Sequence, residues 1–338
     1  MHAVVLVGGF GTRLRPLTDT VPKSMLTVGN EPIITRLVRQ LERGGVTTVT
    51  LSLGFMPDAF LAAFPGDRCG DVELRYAVEP EPLDTAGAIR FAAERGGVDG
   101  TFVVVNGDTI SDLDVSEIVA AHRRFGAEAT LYLTPVDDPS AYGVVELDDE
   151  GRVLRFVEKP PPGVTESNLV NAGTYVMEPS VLDLIEPGTP VSVERETFPA
   201  LVDRGSLYGF ASDVYWLDAG KPEALLRANL DRLAGRYDAG VDHPVSGGDG
   251  VDPAASVDGA AIIDSVVAAG VSVGPGSRVH RSVLLGGASI GHDVVVENSV
   301  VMGSVADGAS LSGAVIGAAA HIQAGQEVVD ERVPEPTG

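Results

Sequence analysis

The chain has 338 residues, 44% of them hydrophobic, enough for one large core plus a second, smaller domain, which excludes disorder throughout. Its formal net charge of −24 argues against nucleic acid or an anionic membrane as partner, so any anionic ligand must be drawn in by a local basic cluster. A single cysteine, Cys69, leaves no internal disulfide and fits a small packed residue in a reducing compartment; no basic, apolar leader and no run of about 20 apolar residues is present, and the expectation is a soluble, cytoplasmic protein.

Along the chain, the apolar run Ala3 to Val7 predicts a buried strand that opens into a glycine-rich turn within VVLVGGFGTRLRPLTDTVPK, residues 4–23. Glycines in such a turn let backbone N–H groups close on an anion, and Arg13, Arg15 and Lys23 supply the opposite charge. The spacing matches neither a Walker loop nor the dinucleotide fingerprint. Only Lys23, Lys159 and Lys221 are lysines, so this dense positive cluster stands out on an acidic chain. A helix is predicted from Glu31 to Arg43, with Asn30 as its cap, Pro32 in its first turn, and Ile33, Ile34, Leu37, Val38 and Leu41 on one face before Gly44-Gly45.

Strands at Thr48 to Leu53, Val72 to Val78 and Phe102 to Val105 alternate with helical periods such as Ala86 to Glu94. That alternation predicts a doubly wound α/β sheet whose ligands bind beyond the carboxyl ends of its strands. The glycine turn and Asn106-Gly107-Asp108 both lie at such ends. From about 130 to 210 the pattern is mixed, with strands at Leu131 to Thr134, Gly143 to Leu147 and Ala172 to Met177 and a helix at Glu194 to Arg204. A helix at Pro222 to Ala234 leads into a linker at 235–250. Residues 251–329 then repeat a six-residue period headed by Val, Ile or Leu, with slips near 269, 285–290 and 302–305. This period is the mark of a parallel β-helix of roughly four coils. The expected organisation is therefore a catalytic domain at 1–234, the linker, the β-helix and a tail at 330–338.

GGFGTRLRPLT…PK is followed in order by EPLDTAGAI at 81–89, VVNGDTI at 104–110, YGVVELD at 142–148, FVEKP at 156–160, NAGTYV at 171–176 and YWLDAGKPE at 215–223. Together these motifs resemble the sugar-1-phosphate nucleotidyltransferases, the NDP-sugar pyrophosphorylases. With VSVERETFPAL at 191–201 they look most like the mannose-1-phosphate guanylyltransferases within that group, which carry a left-handed hexapeptide β-helix behind a Rossmann-like mixed sheet.

The resemblance implies attack of a sugar 1-phosphate on the α-phosphorus of a nucleoside triphosphate, giving an NDP-sugar and pyrophosphate. It implies that Gly8, Gly9, Gly11 and Thr12 wrap the triphosphate, Arg13 neutralises it, and Lys23 bridges the phosphates of both substrates. Glu79, Asp84 and Gly107 fall with the nucleotide; Gly143, Glu158, Lys159 and Asn171 fall with the sugar phosphate; Asp108 and Asp218 hold Mg²⁺. For Asn171 a structural turn role is the competing expectation. Two positions depart from the pattern: Ser24 where many relatives have proline, and Asp84 where many have glycine. Asp84 leaves the base open, since glycine there would permit close approach to it.

GTP with mannose 1-phosphate is the favoured pair. Glucose 1-phosphate or a cyclitol phosphate with ATP, dTTP or UTP is the alternative. Two readings from other classes are a non-catalytic regulatory subunit that binds NDP-sugar and an acyltransferase β-helix. His280, His292 and His321 are scattered there without an acyl-CoA signature, so the β-helix is expected to build a homo-oligomer interface.

Overall fold

The computed structural model describes residues 1–54, 56–161, 163–237 and 250–336, so most of the expected linker lies outside the described residues. The chain divides into two compact bodies, one made of residues 1–9 and 37–216, the other of residues 10–36 and 217–338. In this grouping the segment after the glycine turn goes with the C-terminal part.

In the first body, β-branched runs build a mixed sheet in the order Val153–Glu158, Gly143–Leu147, Leu169–Met177, Phe102–Asn106, His2–Leu6, Thr48–Leu53, Val72–Val78. The last four of these are parallel, register His2 with Phe102 and Thr48, and end together at the ligand edge. Antiparallel strands extend the sheet on the other side, and Ala129–Pro135 and Leu207–Ala211 branch from Leu169–Met177. The helix Asp84–Gly96 lays Ala86, Ile89, Ala92 and Ala93 into a core shared with Val4, Phe102, Leu131, Tyr175 and Phe198. Where one helix was expected at Glu194 to Arg204, a π-helical turn at Val193–Thr197 precedes a short α-helix at Phe198–Asp203. Cys69 is buried. Among the described residues, no helix is long and apolar enough to cross a membrane.

In the second body, the expected helix start at Glu31 is corrected. Thr27–Val28 pairs antiparallel with Glu31–Pro32, and the helix is Ile33–Arg43. Gly29 and Asn30 form the hairpin turn, both at positive φ (61° and 70°), the combination a tight two-residue turn demands. Asn30 is thus a turn residue and not a helix cap. Asn229, fully buried on the helix Pro222–Leu233, holds that hairpin, accepting from Gly29 N–H at 2.9 Å and donating to the Thr27 carbonyl at 3.2 Å.

The hexads form three parallel ladders of a left-handed β-helix. Registers Ala261, Arg278, Val295, Ser310 and Glu327 set coil lengths of 17, 17, 15 and 17 residues, short of the 18 that three full hexads would give. One residue is lost from each coil at a corner occupied by Asp264, Arg281, Asn298, Gly313 and Asp330, each at positive φ, and the 15-residue coil loses two more between Val300–Val301 and Ser304–Val305. Behind it runs a ladder of fully buried serines, Ser265, Ser282 and Ser299. Each donates its hydroxyl to the carbonyl two residues back and accepts the N–H of the next coil. The stack continues to Arg332–Val333, which pairs with Val315–Ile316, four residues past the expected end at 329.

Candidate active site

The turn that follows strand His2–Leu6 runs from the first body, which ends at Gly9, into the second, which starts at Phe10. In the second body, Gly11 at φ 62° starts a 3₁₀ turn, Thr12–Leu14, and the Thr18 hydroxyl donates to the Gly11 carbonyl at 2.8 Å, closing the loop on itself. Arg13 lies 3.8 Å from the Asp218 carboxylate. Asp218 accepts the Gly220 N–H at 2.8 Å, and a Cβ on Gly220 would stand 2.6 Å from the Arg13 guanidinium, so a side chain there would push that guanidinium aside. Lys23 opens a second 3₁₀ turn, Lys23–Met25, whose Cβ comes within 3.3 Å of where a Gly11 side chain would be. Arg13, Asp218, Gly11 and Lys23 are thus brought together by this body alone. Thr12 sits exposed at its surface.

In the first body, Gly8 packs against Gly54 and Glu79, and Gly9 is exposed just after it. The Glu79 carboxylate accepts from the Ser52 hydroxyl at 2.8 Å and from Leu83 N–H at 3.1 Å. Glu79 therefore fixes the loop leading to Asp84. Asp84 stands at φ 55° and accepts the Thr85 N–H at 2.7 Å. The backbone here is left-handed, a conformation that glycine takes freely and aspartate tolerates. Thr85 in turn donates to Glu194 at 2.8 Å and accepts Val193 N–H.

At the end of strand Phe102–Asn106, Gly107 N–H donates to the Leu6 carbonyl at 3.0 Å and places Asp108, half-buried, at the sheet edge. The NAG motif forms a bulge there: Asn171 pairs with Leu133 and Tyr175 with Leu131, leaving two extra residues. Gly173, at φ 76°, brings the backbone so close to Asn106 that a Cβ would lie 2.8 Å from its amide nitrogen. Both ends of the Asn171 amide are spent inside the protein, donating to Tyr175 Oη at 3.0 Å and accepting from Gly173 N–H at 3.1 Å. The turn role expected for Asn171 is therefore present. Burial, with help from the Glu194 and Glu158 carboxylates, pushes the Tyr175 phenol well above its ordinary range, so it stays protonated.

Beside the bulge, Trp216 donates its indole N–H to the Ala172 carbonyl at 2.9 Å and stacks edge-on to Tyr142 at 5.4 Å. Gly143 abuts Glu158, and Glu158 pairs with Lys159 at 3.1 Å. Lys159 is 62% exposed at its side chain, a cation presented to solvent. Gly143, Glu158, Lys159 and Asn171 thus fall on neighbouring strands of this body, next to the strand that leads to Asp108. Trp216 and Tyr142 were not singled out from the sequence, although Trp216 is the chain's one tryptophan and the two lie inside YWLDAGKPE and YGVVELD.

Among the described residues, no three His, Cys, Asp or Glu side chains gather as a ready-made metal cage.

A mixed sheet whose parallel strands end in a glycine-rich turn and in an aspartate, with a hexapeptide β-helix in the same chain, is an α/β architecture suited to an anionic ligand at its strand ends. Residues 2–235 match the family described as nucleotidyl transferase and residues 251–333 that described as GlmU-like, C-terminal hexapeptide; the chain belongs to the nucleotidyl transferase family. It is 43% identical over 230 residues to a mannose-1-phosphate guanyltransferase of Aspergillus oryzae, covering 67% of this chain and 62% of that one. It is 38% identical over 287 residues to the mannose-1-phosphate guanylyltransferase of Mycobacterium tuberculosis, covering 84% and 79%. The match thus spans about 62% of the fungal relative's length. Among solved structures, HddC from Yersinia pseudotuberculosis complexed with GMP-PN aligns at a TM-score of 0.58 and 29% identity, over 68% of this chain and 97% of that one.

Proposed function

We propose that the protein transfers GMP from GTP to mannose 1-phosphate, giving GDP-mannose and pyrophosphate. The observation that carries this reading is the Arg13–Asp218 pair meeting over Gly220 in the glycine loop, a cation and a metal-type carboxylate held at an anion-ready turn. The names of the relatives at 38–43% identity support the choice of substrates.

A phosphate monoester with its second pKa of about 6 is already mostly a dianion at neutral pH, so the nucleophile needs no general base. The task is to hold two anions in line and absorb the charge that develops on phosphorus and on the departing pyrophosphate. Gly8, Gly9, Gly11 and Thr12 wrap the triphosphate, Arg13 neutralises it and Lys23 bridges to the second substrate. Lys159 receives the sugar phosphate, while Glu158, Gly143 and the Asn171 bulge shape the sugar site. Glu79 holds the base loop, and the Asp84 carboxylate accepts from the guanine N1–H and N2–H₂ edge. Mg²⁺, held by Asp108 and Asp218, would draw negative charge from the phosphate oxygens. The exposed Ile263, Val295 and Val329 on one β-helix face serve self-association, and the protein acts in the cytoplasm.

The test is pyrophosphate release across four nucleoside triphosphates and a panel of sugar 1-phosphates in Mg²⁺. GTP with mannose 1-phosphate should give the highest kcat/KM, and Asp108→Asn or Asp218→Asn should each cost about 100-fold or more. No turnover with any pair would favour a regulatory binding protein. If Asp84→Gly keeps the same ranking of nucleotides, Asp84 does not read the base.

A further inference from the structure

We propose that Arg332, on the last coil of the β-helix, is a positioning residue for the nucleotide loop; the proposal rests on the reading of that loop as the triphosphate site. The outward positions of one ladder, in register, are Val266, Val283, Val300, Val315 and Arg332. The four valines are buried, so this face of the coil is a covered one. The fifth position replaces an apolar contact by a guanidinium.

Its Nη1 donates to the Arg13 carbonyl at 2.9 Å and to the Arg15 carbonyl at 3.2 Å. Its Nη2 lies 3.6 Å from the carboxylate of Glu223, in the first turn of the helix Pro222–Leu233. Arg332 thereby ties the segment that carries Arg13 to the segment that carries Asp218, the two residues that face each other at 3.8 Å. One coil earlier, Gly317 lies against the same loop, and a Cβ on it would stand 2.7 Å from Pro16.

The loop needs such a brace. Its 3₁₀ turn is closed by Leu14 N–H to the Gly11 carbonyl and Arg15 N–H to the Thr12 carbonyl, and isolated 3₁₀ turns have poor hydrogen-bond geometry. A planar guanidinium spans two carbonyls and a carboxylate at once, and its charge adds to the field at the loop. Lysine keeps the charge but not the fork.

The experiment measures GTP affinity by calorimetry in Mg²⁺, and both KM values, for the full chain and for Arg332→Ala, Arg332→Lys and the exposed β-helix control Arg278→Ala. Arg332→Ala should weaken GTP binding and raise the GTP KM by about 10-fold, with the mannose 1-phosphate KM within about twofold. Arg332→Lys should recover part of that loss, and Arg278→Ala should match wild type. The proposal is overturned if Arg332→Ala binds GTP as wild type does, if it raises both KM values equally, or if Arg278→Ala has the same effect. A wild-type chain that binds no GTP would instead overturn the reading of the loop itself, and one that binds GTP without turnover would overturn only the proposed reaction.

Discussion

His122, buried on the helix Val115–Phe125, has both ring nitrogens engaged: Nε2–H donates to the Glu178 carboxylate at 3.1 Å and Nδ1 accepts from the Thr130 hydroxyl at 2.9 Å. Burial holds its pKa below the ordinary 6.5, outweighing the pull of Glu178. His2 is lowered in the same direction, first by burial and then by Arg75. Below pH 6.5 the unfolded chain therefore takes up protons that the folded chain refuses. Stability contributed by these neutral histidines is complete above that pH and falls as pH drops, by at most about 1.4 kcal/mol per pH unit for each. Urea midpoints measured at pH 7.5 and 5.5 should show the loss, and His122→Gln should make the difference smaller. At the same scale, Ser24 is fully buried with a hydroxyl that has no hydrogen-bond partner among the described residues. A polar group stranded there is a local cost that its motif does not explain.

Elements built from regular periods were legible; those built from corners were not. Val72–Val78 and Gly143–Leu147 match their expected spans because β-branched runs bounded by turns have few other uses. Gly29-Asn30 misled because the same residue types that cap helices also turn hairpins. In the β-helix, aliphatic heads gave the period, but a corner filled by Asp, Arg, Asn or Gly carries no single letter to read. The buried serines behind it were invisible for the same reason, yet they should matter. Ser282→Ala removes a hydroxyl that donates to the His280 carbonyl and accepts Ser299 N–H, leaving a buried N–H unpaired at a cost of about 1–3 kcal/mol. Thermal unfolding should show the drop, while Ser272→Ala, on an exposed position, should not. In the site, ordered motifs gave residue identities; what holds them (Trp216 on Ala172, Gly220 beneath Arg13) is contact over long sequence distance, which no local pattern records.

For the whole molecule, the grouping of residues 10–36 with 217–338 makes the β-helix part of the body that carries Gly11, Arg13 and Lys23. The sheet of the other body keeps its own core, from Val4 to Leu207. A chain cut after residue 237 should therefore retain the far-ultraviolet circular dichroism of a folded α/β sheet yet lose GTP affinity by more than Arg332→Ala does, since Gly317 and Arg332 go together. Full affinity in the shortened chain would show that the loop supports itself.

The contact between Arg332 and the carbonyl of Arg13 joins residues 319 apart. A ribosome adding about 5–20 residues per second needs roughly 16–64 s to cover that distance. During that interval the nascent loop is already made but unbraced, so a chain still being synthesised should hold the triphosphate about 10-fold more weakly than one that carries Arg332.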